Sequence, residues 1–411
     1  MQIVMLFCTF VLIYKCIMVI LNIYKELQDH LKSKHVTVIN GMRRVGKSTA
    51  LKYLLNCVKH TNKIYLDCER IEIRNILNIP NYETIKDELE LKGLTLNKTC
   101  VIGLDEIQLI KNLPSLVKYF YDTYQVKFIL TGSSSFYMKN QFGESLAGRK
   151  KIFEMFPLSF DEFVKFKGVQ LSTFNNYKLK PFNKSFYNRF KDLYDEYIEF
   201  GGFPEVVLSK RKKDKVDLLN DIINSYIELD VKLMSDYSAS EELYKFCKLL
   251  TARVGSKVDI SKISSASGIS RHKITEYINL LQYTYFIYLV TPYTKNADKE
   301  ISAQPKLYFA DTGILNQLGL NIPSGALFEN MVACQLNKLG KLNFYQKKTG
   351  QEIDFILNEK LAIEVKETPI EQDLKKLETR ANDLGIKQKM LVGKQPPNTN
   401  FSDFTWGATI F

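Results

Sequence analysis

An α/β fold built on a parallel sheet and a phosphate-binding loop is what this sequence predicts, and three observations carry it. A β-branched run, Val36 to Ile39, leads into Gly41 to Thr49, which reads GMRRVGKST. Strand and helix patterns alternate from Ile23 to Phe156, as a parallel sheet covered on both faces requires. A further apolar strand, Cys100 to Glu106, reads CVIGLDE and ends in adjacent carboxylates.

Gly41 to Thr49 fits G-x-x-x-x-G-K-[ST] at every fixed position, with a strand before it and a helical pattern, Ala50 to Val58, after it. Such a loop turns successive backbone N–H groups and the positive end of the following helix toward one point, where a polyphosphate sits. The expected nucleotide contacts are Gly41, Arg43, Arg44, Val45, Gly46, Lys47, Ser48 and Thr49. Gly41 and Gly46 let the backbone curl, Lys47 reaches the β and γ phosphates of ATP, and Ser48 holds Mg²⁺. After the strand Lys63 to Asp67, the tip of CVIGLDE supplies the second half of such a site. Asp105 is expected to bind Mg²⁺ through water and Glu106 to orient and polarise the attacking water. The strand Lys127 to Leu130 runs into Thr131-Gly132-Ser133-Ser134-Ser135, where a hydroxyl, with Ser133 as the candidate, meets the γ phosphate or that water; a plain serine-rich turn reads the same way.

Composition sets bounds on the whole. The 411 residues are 45% hydrophobic and 25% charged, enough for two to four domains with cores of their own. The net charge of +12 favours a polyanionic partner, DNA, RNA or an acidic membrane surface, although a lysine-rich proteome produces the same number. The seven cysteines are scattered, without C-x-x-C pairs, and the four histidines do not cluster. Neither a disulfide framework nor a Cys/His metal centre is indicated, and a reducing cytoplasm is the expected compartment. Ile3 to Ile23 is nearly all apolar and long enough to span a bilayer, but Lys15 sits in its middle. Residues 1–22 are therefore read as a membrane anchor, a buried helix or an upstream extension, with the body on the cytoplasmic side if they insert.

The ordered series GMRRVGKS, LDEIQ, LTGSSS, LAGR, PLSFDEF, GGFPEVV and PKLYFADTG resembles a family of archaeal and bacterial AAA-type ATPases. Its members carry a C-terminal domain of unknown function with winged-helix and nuclease-like parts. The resemblance runs from about Ile23 to about Lys366. It implies an AAA core with Lys47, Ser48, Asp105 and Glu106 in the roles given above. It also implies Arg149 as a γ-phosphate sensor, in its own subunit or a neighbour's if the chain is a homo-oligomer; a guanidinium suits a phosphate fork.

Beyond the core, expected at 23–155, Phe160 to Leu233 places Phe, Tyr and charged residues at helical spacing and predicts a helical lid over the nucleotide edge, residues 156–235. Lys210 to Lys213 reads as a solvated face. Residues 236–312 predict a winged helix-turn-helix: helices at Leu243–Val254, Ile260–Ala266 and Arg271–Tyr283, then strands at Tyr285–Thr291 and Pro305–Phe309 joined by a charged loop around 295–299. Arg271, His272 and Lys273, opening the third helix, are the candidate DNA contacts; winged helices also bind proteins. The last domain, 313–411, resembles the PD-(D/E)XK nuclease fold. Asp354 and Glu364 would hold Mg²⁺ there, with Lys366 at the water and Glu329 on the preceding helix. Ile353 stands where that motif has proline, and a scaffold without cleavage fits equally.

Three functions follow. The first is an ATPase coupled to nucleic acid, the second an ATP-gated endonuclease, and the third an ATP-operated, membrane-tethered or free, protein-binding switch.

Overall fold

In this computed structural model the residues described are 21–110, 112–133, 146–169, 174–230, 239–294, 303–347 and 349–411. Most of the apolar N-terminal run, Ser134, Ser135 and the loop at 295–299 lie outside them. Among the described residues no helix is long and apolar enough to cross a membrane.

Five strands, β1 (Val36–Asn40), β2 (Lys63–Asp67), β3 (Cys100–Asp105), β4 (Val126–Gly132) and β5 (Lys150–Glu154), form a sheet in the order β2-β3-β4-β1-β5. All its pairings are parallel. β1, β3 and β4 are buried along their whole length, which is why they read as near-continuous apolar runs rather than alternating ones. The one basic residue in these three strands, Lys127, lies at the amino end of β4, where its ammonium donates to the carbonyls of His30 (3.0 Å), Ser33 (2.9 Å) and His35 (2.5 Å). Burial pushes that ammonium down to about 7. The helices α1 (Ile23–His30), α2 (Lys47–Cys57), α3 (Ile71–Leu77), α4 (Tyr82–Leu91) and α5 (Leu113–Thr123) belong to this sheet. In register, Asn40 faces Gly132 and Leu104 faces Leu130, so β1, β4 and β3 end level.

The next helices are α6 (Phe160–Phe166), α7 (Lys184–Phe200), α8 (Pro204–Leu208) and α9 (Lys212–Ser225). The aromatic face of α7 does not lie over the nucleotide edge as expected of a lid. Phe186 and Tyr194 instead pack on Trp406 of the C-terminal segment, with ring centroids 5.8 and 5.3 Å apart. The tie to the phosphate loop comes from α8, where Glu205 pairs with Arg44 at 3.3 Å. In the basic run, Arg211 and Lys212 have 81% and 78% exposed side chains, the solvated face expected.

The segment expected to form a helix-turn-helix contains α10 (Ala239–Thr251), α11 (Ile260–Ser267) and α12 (Arg271–Tyr283), followed by the antiparallel pair β6 (Ile287–Pro292) and β7 (Lys306–Phe309). Asp259 caps α11 through the Lys262 N–H, Gly268 ends it in a left-handed conformation, and Ser270 caps α12. β6 does not remain a free edge. It pairs in parallel with β8 (Leu342–Gln346), Thr291 opposite Asn343, and so joins a seven-stranded sheet, β12-β11-β10-β9-β8-β6-β7. A boundary drawn at 312 therefore cuts through one sheet. Its other members are β9 (Glu352–Leu357), β10 (Leu361–Lys366), β11 (Gln388–Gly393) and β12 (Thr405–Trp406), with α13 (Thr312–Leu318), α14 (Ser324–Asn337) and α15 (Glu371–Asp383) around it.

Asp311 bolts the helical segment to this sheet. Buried at 3% exposure, its carboxylate accepts from the N–H groups of Gly202 (2.7 Å), Gly313 (2.8 Å) and Ile314 (3.2 Å). A Cβ on Gly201, whose φ is +74°, would run into that carboxylate.

Candidate functional site

The phosphate loop leaves β1 at its carboxyl end. Gly46 takes φ +99° as N-cap of α2, and Gly41 takes φ +150°, where a Cβ would collide with the Met155 carbonyl. Lys47, 3% exposed, donates to the carbonyls of Gly41 and Met42, both at 2.9 Å. Its ammonium is thereby held over the mouth of the loop. Ser48 is half-buried at the start of α2, Thr49 and Arg44 are exposed, Val45 is buried, and Arg43 lies 3.9 Å from Glu69.

Two strands across, β3 delivers Asp105 to the same end of the sheet. Its carboxylate accepts from Tyr65 Oη at 2.7 Å and from Thr131 Oγ1. Burial and the Asp105 carboxylate together raise the Tyr65 hydroxyl far above its usual range, so it stays a donor. Glu106 follows with a left-handed backbone, φ +54°, and its N–H donates to Thr131 Oγ1 at 3.1 Å. Gln108 Nε2 donates to Glu106 Oε2 (2.5 Å) and to Ser133 Oγ (3.1 Å), so Glu106 and Ser133 meet through a residue not singled out from the sequence. The Ser48 hydroxyl and the Asp105 carboxylate are the hard oxygen donors that suit Mg²⁺ beside a phosphate, and each Asp105 oxygen keeps a further lone pair.

Arg149 is not in this group. It directly precedes β5, its carbonyl accepts from Val36 at the first residue of β1, and its side chain pairs with Asp122 at 3.1 Å. That is the amino end of the parallel strands, opposite the phosphate loop, so Arg149 does not reach the nucleotide site of its own subunit.

Arg271 and His272 are exposed at the start of α12 and line a groove of about 540 Å³ with Ile260, Ser261 and Thr275. Lys273 turns back instead, its ammonium 2.7 Å from Glu242.

The C-terminal candidates do converge, but with lysines among them. Lys366 lies 2.8 Å from Glu364 and 4.0 Å from Asp354, and Asp354 also accepts from the Val365 N–H at 2.8 Å. Lys306, from β7, pairs with Glu352 and lies 4.0 Å from Glu329, which accepts from Tyr308 Oη at 2.7 Å. Burial, reinforced by Asp354, pushes both Glu329 and Glu364 up to about 7. Burial works against the Lys306 charge, yet Glu329 and Glu352 outweigh it and raise its pKa. Among the described residues no group of three His, Cys, Asp or Glu is arranged to hold a metal ion. Lys366 thus stands beside both Asp354 and Glu364, the neighbours expected of it, while Lys306 adds a second ammonium between Glu329 and Glu352. Lys306 lies in the quoted stretch PKLYFADTG, but only the β7 to β9 packing reveals its partner.

A parallel sheet in this strand order, with a glycine-bearing loop and an acidic tip at one end, is the P-loop ATPase fold. In agreement, residues 33–164 match the model of the AAA domain, while 191–325 and 324–409 match two domains of unknown function. The N-terminal part of this chain thus has the P-loop ATPase fold and is similar to the AAA domain over residues 33–164. The chain is 28% identical over 384 residues to an uncharacterized protein of Methanocaldococcus jannaschii, covering 89% of this chain and 82% of that one. With an uncharacterized protein of Haemophilus influenzae it shares 25% over 350 residues, 82% of each. Among solved structures, a Walker-type ATPase of Pyrococcus abyssi overlaps 72% of this chain and 94% of its own, at 16% identity and a TM-score of 0.45.

Proposed function

We propose that the chain hydrolyses ATP with Mg²⁺ and conveys its nucleotide state to a winged helix that engages nucleic acid. The observation that carries this reading is the level ending of β1, β4 and β3, which sets the phosphate loop and the acidic tip about 10 Å apart, two strand spacings. In this reading the N–H groups of the loop and the start of α2 cradle the phosphates, and Lys47 exchanges its carbonyl partners for phosphate oxygens. Ser48 and Asp105 would hold Mg²⁺, which supplies charge neutralisation at the phosphates. Glu106 accepts a hydrogen bond from the attacking water, and Ser133 stands beside it. Arg149, at the far end of the sheet, serves a neighbouring subunit's site. Coupling is supported by Tyr285 Oη, 3.1 Å from Glu154, and by Lys338 Nζ, 2.5 Å from the Pro157 carbonyl, both across the junction with β5.

No cleavage step is assigned to Glu329, Asp354, Glu364 and Lys366, because among the described residues no group of three His, Cys, Asp or Glu is arranged to hold a metal ion. Arg271 and His272, exposed beside their groove, support the nucleic-acid reading. The test is ATP turnover and nucleotide binding, each with and without DNA or RNA. Lys47→Ala should abolish nucleotide binding, and Glu106→Gln should retain binding while turnover stops. Undiminished hydrolysis in either variant defeats the assignment. Turnover and binding unmoved by nucleic acid would transfer the winged helix to a protein partner.

A further inference from the structure

Gln108 lies in the short 3₁₀ turn Ile107–Leu109, two residues beyond Glu106. Its Nε2 bridges the Glu106 carboxylate and the Ser133 hydroxyl. The other end of the amide, Oε1, is buried without a hydrogen-bond partner. So is Oδ1 of Asn40, the last residue of β1 before the phosphate loop, itself 1% exposed. Both oxygens border the space above Gly132 on β4. A Cβ built there would meet Asn40 Oδ1 at 3.4 Å and Gln108 Oε1 at 3.5 Å. Three strand tips thus enclose a small gap faced by two orphaned acceptors, directly beside Glu106.

A buried carbonyl left unpaired costs about 1–3 kcal/mol, so two in one gap mark a place built for a hydrogen donor. Phosphate oxygens are acceptors and cannot satisfy them. Water can, since it donates twice. We propose that Gln108 is the positioning residue of the hydrolytic step: its amide nitrogen sets the Glu106 carboxylate, and its amide oxygen, paired with Asn40, seats a water at the strand tips. This rests on the assignment of Glu106 given above. It adds that the carboxylate is oriented from within its own turn, so that its placement follows the strand tips next to the phosphate loop.

Gln108→Met keeps the volume and removes both hydrogen-bonding ends, and Gln108→Glu sets a second carboxylate against Glu106. The expected result is a kcat for ATP about 10-fold or more lower in Gln108→Met and lower again in Gln108→Glu, with KM and the affinity for a fluorescent ATP analogue within about 2-fold of wild type. In the Glu106→Gln background Gln108→Met should have no further effect, because the group it positions is already gone. Asn40→Ala should lower kcat in the same KM-independent manner. A kcat within 2-fold of wild type in Gln108→Met, or multiplicative losses in the double variant, overturns the inference. If Glu106→Gln itself turns over normally, the hydrolysis reading fails first, and the two failures are distinguished.

Discussion

Removing the Asp311 carboxylate should loosen the junction between the helical segment and the C-terminal sheet by an amount that follows from its contacts. Asp311→Ala deprives the N–H groups of Gly202, Gly313 and Ile314 of a shared charged acceptor. Hydrogen bonds to charged groups contribute about 1.5–3 kcal/mol each. Burial opposes them. Even with all three donors in place, burial keeps the carboxyl above its usual 3.8, at about 6. Asp311→Ala leaves three buried N–H groups without an acceptor, each costing about 1–3 kcal/mol, so the loss comes to about 3 kcal/mol or more. Trp406 is the single tryptophan of the chain and is 1% exposed against the α7 aromatics, so its emission in urea follows this junction. A loss below about 1 kcal/mol in Asp311→Ala would refute the idea that this carboxylate holds the two parts together. The pH dependence has a definite sign. With its folded pKa above the unfolded one, Asp311 binds its proton more tightly in the native state, so its contribution is greatest below 3.8 and declines as pH rises to about 6. Asp311→Asn should erase that step, leaving the decline between 4.5 and about 7 that Glu329 and Glu364 impose by the same logic.

Two further outcomes are expected. Arg149→Ala should reduce turnover without weakening nucleotide binding, and equimolar mixing with Lys47→Ala should restore part of the activity, since one variant supplies an intact nucleotide site and the other an intact arginine; mixtures no better than their components would remove Arg149 from catalysis. Lys306→Met leaves Glu329 and Glu352 without their cation and should cost about 3–5 kcal/mol at pH 8 and clearly less at pH 5.5, where Glu329 is protonated, as read by thermal unfolding; equal losses at both pH values would show that the ion pair is not what the lysine contributes.

The ATPase core was legible because its signals are local. A glycine loop, a β-branched strand and an acidic strand end are each visible within ten residues, and the helix expected at Arg271–Tyr283 has those bounds in the structure, with Ser270 as its cap. What the chain did not disclose depends on contacts far apart in sequence. The pairing of β6 with β8 rests on two residues, Thr291 and Pro292, meeting Asn343 and Phe344 some fifty positions later. Lys306 reads as one more basic residue until β7 is laid beside Glu329 and Glu352. Arg149 carried the right chemistry but only the strand direction reveals at which end of the sheet it lies. The GGFP and ADTG stretches were visible as motifs without a cause. Their cause is steric and electrostatic: Asp311 fills the space at Gly201, and Gly313 passes so close to the Phe200 carbonyl that a Cβ would collide with it.

These contacts give a physical basis for communication between the ends of the molecule. Lys47 donates to the Gly41 and Met42 carbonyls, and on the proposed function it would exchange them for a phosphate, which would make the loop a two-state element. Gly41 abuts the Met155 carbonyl so closely that the loop and the chain after β5 cannot shift independently. That chain continues through Pro157, whose carbonyl accepts from Lys338 just past the end of α14, while Glu154 accepts from Tyr285 just past the end of α12. α14 carries Glu329, and α12 carries Arg271 and His272. On the proposed function, movement of the phosphate loop would bear on both helices through these packed atoms, the one with the exposed arginine and the one with the buried glutamate together.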